Sequence, residues 1–208
     1  MNRSSNYFLL SLILLAIVGC ATKPKTTGPL QQAQWETKAL IKDLKTNKNQ
    51  TLNIDIYAVK NDRARIEISA LMGFQVASLV MDNKDISYAI YPQKKFYYGV
   101  NSEEAFSRVI NLPLHPMNLI NVAFEDPVKG SGWQCSKDQS GQLSSCLNAE
   151  RKMRIVWSGR VDGAKKVVIT APQFEMQWAY EAPQTEVQFK PELFTLRQPK
   201  GFKAIQIN

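Results

Sequence analysis

The chain has 208 residues, 26 Lys and Arg against 18 Asp and Glu, a formal net charge of +8, one histidine and three cysteines. That length supports one domain with a real core, and a single histidine with no G-x-S-x-G, H-E-x-x-H or Gly-rich phosphate loop argues against the familiar hydrolase, zinc-protease and nucleotide chemistries. The expectation is therefore a binding or structural protein, neither an enzyme nor a holder of a cofactor or metal.

The first residues read as an export signal: Arg3 is the positive start, Phe8 to Val18 the apolar stretch, and small residues close it. The run from Tyr7 to Cys20 is too short for the roughly 20 residues of a membrane span. Its end, Ile17-Val18-Gly19-Cys20, resembles a bacterial lipobox, in which the cysteine is acylated and becomes the mature amino terminus. The alternative is an ordinary signal peptide with a chance cysteine at its end. Residues 1–19 are thus expected to be a lipoprotein signal peptide, and removing them takes away only the charge of Arg3. Anchoring by more than one acyl chain is stable, whereas a single chain binds only marginally. The residue after Cys20 is Ala21 rather than the Asp of inner-membrane retention, which implies the outer membrane, facing the periplasm. Export makes nucleic acid an improbable partner for the basic charge and brings lipid headgroups within reach.

Residues 20–30 contain "ATKPKTTGP" and read as a flexible tether; residues 31–208 are the folded domain. Ala33, Thr37, Leu40, Ile41 and Leu44 fall at helical spacing and predict an amphipathic helix. The period then changes to two, at Leu52, Ile54, Ile56 and at Ile66, Ile68, with a turn at Asn61-Asp62. "FQVASLVMD", "ISYAIYP" and "KKFYYG" extend this as an antiparallel meander, with "DNKD" at Asp82 to Asp85 read as a hairpin turn rather than a calcium loop. Ser102 followed by Glu103 and Glu104 starts a second helix, with Ala105, Phe106, Val109 and Ile110 as its apolar face. A third starts near Pro116 and carries Met117, Leu119, Ile120 and Ala123.

Cys135 and Cys146 are an even pair in an oxidising compartment, flank a polar turn with Gly141, and predict a disulfide across a hairpin. A two-cysteine metal site would want a histidine nearby, and His115 lies between Leu114 and Pro116. The strands that follow are "KMRIVWSG", "AKKVVITAP", "FEMQWAY", "TEVQFK" and "FKAIQI". This is a mainly β protein of about ten or eleven strands with three helices, and a twisted sheet of that size curls. Phe174, Met176, Trp178 and Tyr180 share one face of their strand, and Met153, Ile155 and Trp157 share a face of a neighbour. These residues either form ordinary core under the helices or wall a lipid-sized cavity.

Three stretches carry a family resemblance. "RARIEISALMGFQVASLVMD", "NLPLHPMNLINVAF" and "KPELFTLRQPKGFKAIQI" resemble, in turn, the strand-loop-strand, the helical insertion and the final hairpin of the LolA/LolB lipoprotein-localisation family, its LolB type in particular. The resemblance implies an unclosed antiparallel β-barrel, a half-barrel whose helices cover an apolar concave face. It implies a monomer that binds acyl chains of lipoproteins or lipids, receives them from a periplasmic LolA-like carrier and helps insert them into outer-membrane lipid. Leu71, with Met72 beside it, matches the exposed leucine of the family's membrane-insertion loop. The alternatives are a buried turn at "ALMG" and, for the whole protein, a structural or adaptor lipoprotein with the same fold and a filled interior.

Overall fold

The computed structural model describes residues 30–110 and 112–207. The expected signal peptide and residues 20–29 of the expected tether, Cys20 included, lie outside the described residues. The elements are β1 (Gln32–Asp43), β2 (Asn49–Val59), β3 (Arg63–Ala70), β4 (Gln75–Asp82), β5 (Asp85–Ile90), β6 (Lys95–Val100), helices α1 (Glu103–Ile110) and α2 (Met117–Phe124), then β7 (Trp133–Lys137), β8 (Leu143–Asn148), β9 (Met153–Val161), β10 (Ala164–Ala171), β11 (Phe174–Tyr180) and β12 (Lys203–Ile207). All twelve strands form one sheet in the order β12-β6-β5-β4-β3-β2-β1-β11-β10-β9-β8-β7, so β12 and β7 are edges and the barrel is unclosed. Only the β12–β6 pairing is parallel.

The first segment is a strand and not the expected helix, so the described residues hold two α-helices rather than three. Positions 33, 37 and 41 satisfy both a helical and a two-residue period. Trp35 and Ala39 decide between them: both are buried with Ala33 and Thr37, while Glu36, Lys38 and Leu40 face out. Tertiary pairing completes the choice, because β1 is hydrogen-bonded along both edges, to β2 and to β11.

The alternation fixes the register of the whole meander. Ala39 lies opposite Leu52, Ile54 opposite Ile68, Ile66 opposite Leu79, and Leu79 opposite Tyr88. Apolar side chains thus form continuous bands across one face, and the helices cover it. Three hairpins close by the same device, an aspartate whose carboxylate accepts two backbone N–H groups of its own turn: Asp43 from Lys45 and Thr46, Asp82 from Lys84 and Asp85, Asp138 from Ser140 and Gln142.

At the start of α1 the Ser102 hydroxyl accepts the Ala105 N–H at 3.1 Å. The C-terminal carbonyls of α2 are met by side chains from the sheet: Trp157 Nε1 donates to Val122 at 3.1 Å and the Lys165 ammonium donates to Ala123. Lys165 is only 6% exposed, its ammonium 3.3 Å from Glu125 and above the rings of Tyr180 and Trp35. Burial lowers its pKa, and Glu125 opposes that shift. Trp35 also packs edge-on against Phe124, with centroids 4.9 Å apart. His115 is held by the backbone, its Nδ1 accepting from Met117 N–H and its Nε2 3.1 Å from the Asn101 carbonyl.

Cys135 and Cys146 form a disulfide across the β7–β8 pair. The C-terminal region differs from expectation. "TEVQFK" is not a paired strand, the one bridge nearby joining Gln184, just before it, to Gln34, and no final hairpin forms among the described residues. Residues 181–202, with prolines at 183, 191 and 199 that cannot donate to a ladder, instead strap the uncovered face of the sheet. Gln32 Nε2 donates to the Val187 carbonyl, Phe189 packs on Tyr57, Arg65 donates to the carbonyls of Leu193 and Thr195, and Phe202 packs on Tyr91. The strap delivers β12 to β6, where a Cβ on Gly99 would meet the Ile207 carbonyl oxygen at 1.8 Å, so that position requires glycine.

Candidate functional site

Between the sheet and the helices lies an apolar cavity of about 220 Å³. Its floor is the bands described above, with Ile54, Ile66, Ile68 and Leu79 from the meander, and its roof is Phe106 and Ile110 of α1, Leu112, and Leu119 of α2. Among the described residues, no charged side chain lines it. The Trp178 indole, at one wall, spends its N–H on the Thr37 hydroxyl at 2.6 Å, and Thr37 in turn donates to the Ile54 carbonyl. Tyr88 stacks on Tyr97 at 4.9 Å, and burial pushes its phenol pKa well up, so it stays neutral. The cavity can accept methylenes.

Of the residues singled out in the sequence, Phe174, Met176 and Trp178 line this cavity. Met153, Ile155, Trp157 and Tyr180 do not: all four are buried core. The reason is register. Trp157 is directed to the C-terminal end of α2, where its N–H caps Val122, and Ile155 is paired between Ile169 and Cys146. Tyr180 packs against Trp178 and under the Lys165 ammonium. That part of the face is filled by α2, and the open space lies toward the other end of the strands. The floor residues of β2 and β3 were recognisable as inward-facing, but only strand register shows that they share one space with β4 and β11.

The end of the cavity lined by Ile68 and Ala77, its mouth end, adjoins the β3–β4 loop. Ala70 to Gly73 form a tight turn in which Gly73 N–H donates to the Ala70 carbonyl at 2.8 Å, and Gly73 has a φ of +80°. Leu71 and Met72 occupy its two central positions and are 60% and 84% exposed; Phe74, which sequence reasoning passed over, is 69% exposed. Ile68 and Ala77, one strand pair below the loop, both line the cavity. At about 3.3 Å per residue the apolar tip therefore stands roughly 10 Å beyond the cavity wall.

No family model matches the sequence, and no curated protein matches it. Among solved structures, the chain is similar to a LolA superfamily protein from Nitrosomonas europaea, at TM-score 0.53 and 7% identity over 81% of this chain and 92% of that one. A DUF1329 family protein from Desulfovibrio piger aligns at TM-score 0.46 and 9% identity, over 79% of this chain and 90% of the other. The first of these likenesses carries the assignment. Together with the unclosed twelve-stranded sheet and its helix-covered apolar face, it shows that this chain has a LolA-like fold.

Proposed function

We propose that this protein is a LolB-type outer-membrane lipoprotein, anchored through Cys20 and facing the periplasm, that takes acyl chains of lipoproteins or lipids into the cavity and helps insert them into the membrane. It acts by non-covalent partition and forms no bond. A periplasmic LolA-like carrier fits as the donor and a monomer as the working unit. The observation that carries the reading is an unfilled, uncharged cavity opening beside an exposed apolar turn. An apolar space of about 220 Å³ beside a filled core leaves its lining available to an apolar ligand. A protein with a purely structural role would gain by filling it, as the face beneath α2 is filled.

The test is displacement of a fluorescent fatty acid from the purified protein, beside mass spectrometry of lipids that co-purify. Ala77 lines the cavity on β4, and Ala77→Phe places a ring in the space. The expected result is binding weakened at least about tenfold with the melting temperature held or raised. A wild type that binds no acyl chain would favour the adaptor alternative.

A further inference from the structure

One end of the sheet sets an apolar tip between lysine-bearing turns. At the end carrying the mouth, three neighbouring hairpins present the β1–β2 turn, the Leu71–Phe74 tip and the β5–β6 turn side by side. Lys45 and Lys48 are exposed on the first of these turns and Lys94 on the last, with Lys203 exposed at the adjoining start of β12. The one acid in those turns, Asp43, is folded back onto the N–H groups of Lys45 and Thr46. The turns at the opposite end are mixed: exposed Asp62, Asp82, Asp85 and Asp162 stand with exposed Lys84, Lys137 and Lys166, and Asp62 is paired with Arg63 at 3.5 Å. An apolar tip between two lysine-bearing turns matches a surface that is anionic outside and apolar beneath.

We infer that the mouth end docks on an anionic lipid bilayer, with Lys45, Lys48 and Lys94 on headgroup phosphates and Leu71, Met72 and Phe74 below them among the acyl chains. This deepens the acyl-binding reading and rests on it for the direction in which cargo leaves. Each lysine near such a surface contributes about a fivefold gain in binding.

The experiment uses the expected mature chain, residues 20–208 carrying Cys20→Ser, so that neither an acyl anchor nor the apolar signal stretch contributes, and co-sediments it with vesicles of phosphatidylcholine alone or with about a third phosphatidylglycerol. The wild type should prefer the anionic vesicles at least tenfold and lose that preference at high salt. The variant Lys45→Glu/Lys48→Glu/Lys94→Glu should lose it too. Lys84→Glu/Lys137→Glu/Lys166→Glu changes net charge equally at exposed positions away from the mouth and should keep it. Equal loss in both variants would show that net charge acts without a docking face, and equal binding to both vesicle types would show that the lysines meet something else, such as an acidic protein; either overturns the inference. Fatty-acid binding without vesicles is measured in parallel on all variants. Its retention while vesicle preference fails separates the failure of this inference from failure of the acyl-binding reading.

Discussion

Replacing Leu71 by glutamate tests the delivery step at its most exposed point. Fully burying a side chain of this class contributes about 1.5–3 kcal/mol. Scaled by the 60%, 84% and 69% exposures of Leu71, Met72 and Phe74, the whole tip contributes about 3–6 kcal/mol when it enters lipid. Leu71 supplies about 1–2 kcal/mol of that, or about a 5- to 20-fold change in partition, and a glutamate adds the cost of carrying a charge into the bilayer. The same exposures mean that little is lost in the folded protein, so stability should stay within about 0.5 kcal/mol. Leu71→Glu should therefore melt like the wild type and bind fatty acid in solution, yet transfer labelled acyl cargo to liposomes at least about tenfold more slowly. A melting temperature lowered by many degrees would mean that Leu71 is part of the core, and unchanged transfer would mean that the tip never enters the bilayer.

Three further outcomes follow from the packing. Lys165→Met should cost about 1–3 kcal/mol in urea unfolding, because the Ala123 carbonyl loses its donor while Glu125 keeps Arg160 at 2.7 Å; unchanged stability would refute the capping role. Glu36, Asp55 and Glu67 lie directly opposite one another on adjacent strands, and burial, then Glu67, raises the Asp55 pKa above its ordinary 3.8. The folded chain then holds more protons than the unfolded chain between 3.8 and the raised value, so this group makes stability rise as pH falls through that window. Asp55→Asn should accordingly raise the melting temperature at pH 7 and give little gain once the pH drops below the carboxylate range. Cys135→Ser with Cys146→Ser opens a loop of sequence separation 11 and should cost about 2–3 kcal/mol, read as a lower urea midpoint that the reduced wild type reproduces.

The meander was legible because its strands expose one face and bury the other, so that Leu52, Ile54 and Ile56, and later Ile66 and Ile68, announce their period directly. β1 was harder, since its residues satisfy two periods until Trp35 is counted as an inward position, and its pairing with β11 is a contact no local pattern encodes. The cavity was half legible for a related reason. Phe174, Met176 and Trp178 read as one apolar face, but their neighbours Ile155 and Trp157 read the same way, and only the position of α2 decides which part of that face is filled. Lys165 gave no warning: one of two adjacent lysines, Lys165 and Lys166, must face in on a strand, and nothing local marks it until a helix terminus arrives to hold it.

The placement of β1 bears on how the chain reaches this state. Its first edge can zip to β2 locally, but its other edge waits for β11, and Thr37 and Trp178 are separated by 141 positions. Until then a twelve-residue strand offers an unpaired edge to any other extended chain, which is the geometry from which aggregation and strand exchange start. Closing so long a loop before its contacts can form makes the step slow. The late half of the sequence therefore controls the fate of the early half, and the interval before residues 174–180 arrive is when an incomplete chain is most exposed to its neighbours.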